Sequence, residues 1–389
     1  MRHMSRTFPS EIRTFADRLT GRTIRQFTNY KGHSHHLYFT NPGWFDGGRR
    51  LLFGSDRGGR TNLFSVHLES GQIVQHTDAD MPPPPHQTSF LSASVNPRRD
   101  EAYFWRGHDL MAIDLGTDVE RLLHRGDEGF HSSMTNVTAD GRFVCTCMYE
   151  DLSARFAVDL LNGYVGFREY HEARPSSFIL AVPVDGGPAR KVHQENYWIG
   201  HINTSPTLPN ILTFCHEGPW GDVDNRIWGL DIDTGRAWMI RPRREPREQV
   251  GHEYWHADGI HVGFHGKSPT RGGLFGRIRY DNTNLLEATC DQQTGHIHSN
   301  DFSLIVGDGH AAPQRKPLLR LWRWAPSTFD GPRILCEHHS SEHSQQQHVH
   351  PRFSPDGRTI IFTSDRSGYG QVYQVEVGAF DDLPALEEK

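Results

Sequence analysis

The sequence is poor in cysteine, in long apolar runs and in positive charge, and each shortage excludes a class of protein. Its five cysteines are scattered and odd in number, so they are not a disulfide framework. No apolar run approaches the length of a membrane-spanning helix, and residues 1–10 lack the apolar stretch of a secretory signal. The formal net charge of −6 provides no basic surface for nucleic acid. We therefore expect a cytoplasmic protein with no nucleic-acid or membrane partner.

Apolar residues are also scarce, whereas turn residues are frequent. Hydrophobic residues make up only 35% of the 389-residue chain, beside 38 glycines and 23 prolines. This composition favours many thin sheets joined by turns over one thick core. A repeated unit supports this interpretation and is clearest at residues 350–377. There a Pro-Asp-Gly turn separates two strands, and a third strand follows with the alternation of period two that strands require.

Seven such units follow one another, as expected for the blades of a β-propeller. They lie at residues 45–77, 86–126, 131–195, 197–244, 250–291, 295–338 and 350–377. The last unit lacks a fourth strand, and residues 22–28 have the pattern to supply it, which would remove an open sheet edge. We therefore predict an all-β fold, a seven-bladed β-propeller in which residues 1–389 form one domain and an N-terminal strand closes the last blade. Separate β-sandwiches are the alternative, but they do not explain the even spacing.

Histidine is in clear excess, with 26 copies, and it recurs at a comparable register in every unit. In a propeller, the residues that begin the inner strands of all blades meet at one mouth of the central channel. The histidines at this register are His36, His86, His131, His201, His252 and His296, with His348 and His350 in the last unit. We expect them to share one site, although the pattern gives no individual role to His33, His35, His36, His86 or His131.

Part of this set has the arrangement of a metal site. His348 and His350 are two residues apart, so their imidazoles share a face on an extended strand. Gln345 lies just before them, and His296 comes from the preceding unit. Three neutral imidazoles and an amide oxygen can bind a divalent cation and leave its double charge available to an anion. His298 is the rival of His296, but the two alternate and should face opposite sides of their strand.

Four motifs in register resemble those of the oligogalacturonate lyase family. The run His-Glu-Gly-Pro-Trp at 216–220, followed by Val-Asp-Asn-Arg at 223–226, resembles the segment around that family's catalytic arginine. The run His-Glu-Tyr-Trp at 252–255 resembles the segment that holds its histidine base. The runs at 296–300 and 345–351 resemble its two metal-ligand segments.

This resemblance implies an enzyme that cleaves short galacturonides, of the digalacturonate type, by β-elimination in the cytoplasm, usually with manganese. It implies a base at His252 and carboxylate binding by Arg226, whose planar fork can engage both oxygens. The implied metal ligands are His296, Gln345, His348 and His350. His201 and His216 are added as candidates for substrate binding, and no general acid is identified.

Other functions are compatible with the same scaffold. A non-catalytic interaction propeller of the TolB type would explain the turns, but it has no need for converging histidine and glutamine. A metal-dependent hydrolase or isomerase, or a lyase for a different oligouronide, would keep the metal. We also expect His338, His339 and His343 to be solvated loop residues, and residues 148–176 and 266–273 to be insertions within blades.

Overall fold

The computed structural model describes residues 6–80, 90–160, 163–290, 294–309 and 317–386, and nearly all regular structure in them is β-strand. The strands form seven antiparallel sheets, each built mainly from one continuous stretch of chain. The first strands of neighbouring sheets contact one another around a common axis, as in blades 3, 4 and 5. The chain is therefore the seven-bladed β-propeller that its repeat predicts.

The blades are numbered here in chain order, and each begins with its inner strand. Blade 1 consists of Ser34–His36, Trp44–Phe45, Arg50–Ser55, Asn62–His67 and Ile73–Gln75. Blade 2 consists of Ser94–Val95, Glu101–Arg106, Asp109–Asp114 and Glu120–Arg125, and blade 3 of Phe130–Val137, Phe143–Glu150, Ser176–Pro183 and Arg190–Asn196. Blade 4 consists of Ile199–Thr204, Ile211–His216, Ile227–Asp231 and Ala237–Met239. Blade 5 consists of Gln249–Trp255, His261–Ser268, Gly272–Arg279 and Leu286–Thr289. Blade 6 consists of Ile297–His298, Leu304–Gly307, Leu318–Ala325 and Thr328–Glu337. Blade 7 consists of Arg352–Phe353, Thr359–Ser364 and Gln371–Glu376. The described residues also contain the α-helix Phe167–Ala173 and short 3₁₀ helices at Asp46–Gly48, Arg57–Gly59, Phe90–Ser92, Gln345–Gln347 and Phe380–Asp382.

The early part of the chain closes the ring. Strand Thr23–Gln26 pairs antiparallel with Gln371–Glu376, which confirms the predicted N-terminal strand of the last blade. Two further strands were not predicted. Arg13–Ala16 pairs with Thr23–Gln26 as a fifth strand of blade 7, and Arg6–Phe8 adds to the outer edge of blade 1. The beginning of the chain thus joins the last blade to the first.

The hydrophobic core lies between adjacent blades, which explains the alternation of period two. In blade 7, Ile360 and Phe362 are fully buried in the cluster that contains Leu321 of blade 6. Ile361, between them in sequence, points the other way and packs in the cluster that contains Phe64 of blade 1. Both faces of a blade are therefore apolar, and each strand residue packs against one neighbour or the other.

One of the two predicted insertions is present. Between strands Phe143–Glu150 and Ser176–Pro183 the chain leaves blade 3 and forms the α-helix, which packs on a small core of Leu152, Tyr170 and Trp198. We refer to residues 151–175 as the blade-3 insertion. The second expected insertion, at 266–273, is absent, because strands His261–Ser268 and Gly272–Arg279 continue to a short turn. No helix in the described part of the chain has the length and apolar character to cross a membrane.

Candidate active site

A cavity of about 1170 Å³ opens where the inner strands converge. Arg226 and Gln345 line this cavity together with a set of the predicted histidines. These histidines are His131, His201, His252, His296 and His348. The structure thus brings together side chains from blades 3 to 7 that lie more than 200 residues apart in the sequence.

Local irregularities in the inner strands direct several of these side chains. The pairing register shifts within the inner strands of blades 4 and 5, next to His201 and His252 respectively. His252 and His350 also adopt left-handed backbone conformations, with φ of 47° and 45°. A bulge or a left-handed residue re-aims a side chain that a regular strand would point elsewhere, and such features are common at functional sites.

Three imidazoles form a candidate metal centre. One ring nitrogen each of His296, His348 and His350 lies within 4.8 Å of the other two. Nε2 of His350 is buried and has no hydrogen-bond partner among the described residues, as expected of an atom that awaits a ligand. Burial, reinforced by the neighbouring imidazoles, holds the pKa of His350 well below its usual range. A neutral imidazole is the form that binds a cation, so these residues fit a divalent metal.

The buried carboxylate of Asp308 orients His296. Its Oδ2 accepts hydrogen bonds from Nδ1 of His296 at 2.8 Å and from the backbone N–H of the same residue at 2.9 Å. Its Oδ1 accepts from Thr294 Oγ1 at 2.7 Å and from Gly295 N–H at 2.8 Å. A proton fixed on Nδ1 leaves Nε2 of His296 as the ligand atom, an arrangement typical of metal-binding histidines.

Gln345 belongs to the 3₁₀ helix Gln345–Gln347, directly before His348. Its amide nitrogen Nε2 donates a hydrogen bond to the hydroxyl of Tyr164 at 2.8 Å. Since the amide nitrogen makes this bond, the amide oxygen is the end that can bind a cation.

His252, the candidate base, lies beside the metal centre without belonging to the three-imidazole group. Its ring stacks on His296 with centroids 4.5 Å apart, and the indole of Trp220 meets it edge-on at 4.9 Å. Nδ1 of His252 lies 2.5 Å from the carbonyl oxygen of Gly295, which can only accept, so Nδ1 carries the proton and Nε2 keeps a lone pair. Burial, followed by the nearby imidazoles, holds the pKa of His252 well below its ordinary value.

Arg226 is buried and already holds a carboxylate. Its Nη1 donates to Oε1 of Glu217 at 2.5 Å, and its Nη2 donates to Oε2 at 3.3 Å. Nε of Arg226 is buried and has no hydrogen-bond partner in the described part of the protein. A guanidinium has a second donor edge, formed by Nε and Nη2, so Arg226 retains one edge for a further anion. Burial opposes the ionisation of Glu217, but Arg226 and His201 together keep the pKa of this carboxyl below its ordinary value.

The two histidines predicted to bind substrate differ in position. His201 lines the cavity, 3.5 Å from Oε2 of Glu217, and burial lowers its pKa to about 4. His216 is not among the cavity-lining residues. Its ring nitrogens contact Asp224 at 2.6 Å and Glu195 at 2.9 Å, and it stacks on Tyr197. Substrate binding by His216 therefore stays a prediction without a place in the cavity wall.

Of the remaining histidines of the expected site, one lines the cavity and three of the others have positions elsewhere in the described structure. His131 lines the cavity and lies 3.1 Å from Asp151. His36 is buried, with Nε2 3.4 Å from the carbonyl oxygen of Val349, and His35 is buried next to it. His33 accepts a hydrogen bond from the Gly370 N–H at 3.0 Å. His86 lies outside the described residues.

Two histidines outside that set, His298 and His338, are buried. His298 is buried and stacks on Tyr254 at 5.1 Å, so it does not join His296 at the metal centre. His338 is buried rather than solvated, because its Nε2 donates to the carbonyl oxygen of Asp308 at 3.0 Å. His339 and His343 are exposed, as expected.

A propeller that brings three imidazoles together beside a cavity lined by a neutral histidine and a buried arginine has the composition of a metal-dependent enzyme that acts on an anionic ligand. Residues 3–316 match the family described as oligogalacturonate lyase. The chain belongs to this family of polysaccharide lyases and is therefore an enzyme rather than a non-catalytic interaction propeller.

Three relatives illustrate the similarity. The oligogalacturonide lyase of Pectobacterium atrosepticum is 26% identical over 404 aligned positions, which cover 95% of this chain and 97% of the relative. The crystal structure of an oligogalacturonate lyase from Vibrio parahaemolyticus has a TM-score of 0.84 and 24% identity, over 96% of this chain and 99% of its own. An oligogalacturonate lyase solved in complex with manganese has a TM-score of 0.83 and 24% identity, over 96% and 97% of the two chains. These structures confirm the fold.

Proposed function

We propose that this protein is a manganese-dependent oligogalacturonate lyase that cleaves short, digalacturonate-type substrates by β-elimination. The observation that carries the proposal is the group of His296, His348 and His350, two of which line the same cavity as His252 and Arg226. Manganese is supported by the related lyase solved in complex with that ion. The cavity, at about 1170 Å³, suits a small oligosaccharide rather than a polymer chain.

Gln345 completes the proposed ligand set with its amide oxygen. All four ligands are neutral, so they do not offset the charge of the ion. When bound, a divalent cation supplies positive charge that binds the uronate carboxylate and stabilises negative charge on it.

His252 acts as the base in this proposal. Its Nε2 lone pair takes the proton from C5 of the uronate, next to the carboxylate, and holds it while the C4–oxygen bond breaks. The bond from Nδ1 to the Gly295 carbonyl keeps the ring in the tautomer that leaves Nε2 free for this step. The product then carries a C4–C5 double bond.

Arg226 binds the substrate carboxylate through its Nε–Nη2 edge. Glu217 holds the adjacent Nη1–Nη2 edge and fixes the plane of the guanidinium before substrate arrives. A donor that is already in place stabilises the negative charge that develops as the proton leaves, without any rearrangement. We also infer a cytoplasmic location, supported by the five cysteines, which are all described, buried and free.

The test combines metal analysis of the purified protein with an ultraviolet assay for unsaturated uronate, using digalacturonate. His252→Ala should keep its manganese and lose turnover by roughly 10² to 10⁴-fold, the usual effect of removing a general base. His348→Ala should lose manganese, with its melting temperature little changed. Turnover of a different oligouronide but not of digalacturonate would change the substrate, and a His252→Ala variant without metal would make His252 a ligand.

A further inference from the structure

The blade-3 insertion contacts Gln345, a candidate metal ligand, through the side chain of Tyr164. Its hydroxyl accepts the hydrogen bond from Gln345 Nε2 at 2.8 Å, although the two residues are 181 positions apart. Tyr164 and Gln345 both line the main cavity. This contact joins an insertion of blade 3 to the loop that carries the ligands of blade 7.

The insertion holds Tyr164 in a defined position. The backbones of Asp159 and Val165 form two hydrogen bonds, at 3.0 and 2.9 Å, which close the loop that contains Tyr164. Tyr164 itself has a left-handed φ of 55°, and its ring packs edge-on against Phe167 with centroids 5.6 Å apart. Phe167 in turn packs on Trp198 at 5.2 Å, so the tyrosine is anchored to the small core of the insertion.

The position of Tyr164 is not explained by burial of its ring in a core. The residue is 52% exposed, and it ranks among the exposed large hydrophobic residues of the chain. A bulky residue in a left-handed conformation is costly, and such strain is found where the surrounding structure holds a side chain for a function. The insertion places the hydroxyl within hydrogen-bond distance of Gln345 Nε2.

Gln345 needs such a partner more than the histidines do. Glutamine has three rotatable bonds before its amide, and its neutral oxygen is a weaker ligand than imidazole. Asp308 fixes His296 through Nδ1, which would leave Nε2 for a cation. Tyr164 holds Gln345 in the same way: its hydrogen bond is to Nε2, the end of the amide that cannot bind a cation.

We propose that Tyr164 is a positioning residue of the metal centre: by holding the amide nitrogen of Gln345, its hydroxyl directs the amide oxygen towards the cation. This inference rests on the proposed function, since it assumes that Gln345 is a ligand. It assigns to the blade-3 insertion, which lies outside the segments that bear the ligands, a part in metal affinity.

The experiment is a double-mutant cycle on manganese binding, measured by calorimetry with metal-depleted protein. Tyr164→Phe removes the hydroxyl alone and should weaken manganese binding by roughly 10-fold, the lower end of the effect of removing a partner that orients a ligand. In a Gln345→Ala background the same substitution should have no further effect, because Tyr164 acts through Gln345. Tyr280→Phe, after strand Gly272–Arg279 in blade 5, is the matched control and should bind manganese like the wild type.

The outcomes separate the two proposals. If the wild type binds no manganese, the proposed metal centre is wrong, and the role of Tyr164 is wrong with it. If the wild type binds manganese and Tyr164→Phe binds it equally well, only the role of Tyr164 is refuted. The same holds if Tyr164→Phe weakens binding equally in the Gln345→Ala background. The electron paramagnetic resonance spectrum of bound manganese should also change in Tyr164→Phe and not in Tyr280→Phe.

Discussion

Glu253, next to the candidate base, should make the protein less stable as the pH rises towards neutrality. Its carboxyl is only 2% exposed, and its Oε2 has no hydrogen-bond partner among the described residues. It lines a small cavity together with Asn203, His201 and Arg226, and the last two also line the main cavity. Burial raises the pKa of Glu253 from 4.5 to about 7, even though the Arg226 guanidinium lowers it.

The sign and size of the effect follow from this shift. Between pH 4.5 and about 7 the folded state holds a proton on Glu253 that the unfolded state has lost, so stability falls as the pH rises through this window. Above pH 7 both states are ionised, and the folded state carries the full cost. A shift of this size corresponds to about 3 kcal/mol, at about 1.4 kcal/mol per pKa unit.

Glu253→Gln tests this reasoning, because glutamine has nearly the same shape and does not titrate. At pH 8 the variant should melt roughly 3 to 4 °C above the wild type, given the usual entropy of unfolding per residue for a chain of this length. At pH 4.5 the difference should nearly vanish. Glu172→Gln, whose parent side chain is 62% exposed, is the control and should change neither value. A Glu253→Gln variant that is no more stable than the wild type at pH 8 would show that Glu253 is stably ionised in the fold.

Two further predictions concern the metal centre and the closure of the ring. Asp308→Asn should weaken manganese binding roughly 10 to 100-fold in a calorimetric titration, because the amide is uncharged and has one accepting oxygen for the donors that the two carboxylate oxygens now serve, among them Nδ1–H of His296; equal affinity would show that Asp308 does not orient the ligand. Deletion of residues 1–28 removes the fully buried Ile24 and Phe27 and should cost at least about 3 to 6 kcal/mol of stability, and a truncated protein that melts like the full chain would mean that the strand is dispensable.

The blades were predictable because their information is local. The alternation in residues 359–364 reflects the two faces of one strand, and the orphan pattern at 22–28 is visible without knowing its partner. The recurring histidines were informative for the same reason, since each has the same relation to its own inner strand. These features can be predicted from the sequence of one blade and from the repetition of blades around the ring.

The pairing of side chains between blades was not predictable in this way. The clamp of Glu217 on Arg226, the bond from Gln345 to Tyr164 and the burial of His338 depend on how separate strands and loops meet. Glu217 belongs to the motif at 216–220, but no sequence signal marks it as the partner of Arg226. The bulges next to His201 and His252 could not be predicted either, because one extra residue in a strand does not change the composition or the pattern of apolar residues in a recognisable way.

The two N-terminal strands of blade 7, Arg13–Ala16 and Thr23–Gln26, are synthesised long before the rest of that blade. The hydroxyl of Thr28 accepts a hydrogen bond from the backbone of Val372, 344 residues later. At ribosomal rates of roughly 5 to 20 residues per second, strand Thr23–Gln26 waits on the order of 20 to 70 s for its partner. The strand can already pair with Arg13–Ala16, but its other edge stays open until then. An open strand edge is a template for aggregation, and charge is the usual protection. Arg13, Arg22 and Arg25 in and beside the waiting strands would keep them apart from other nascent chains until the last blade arrives.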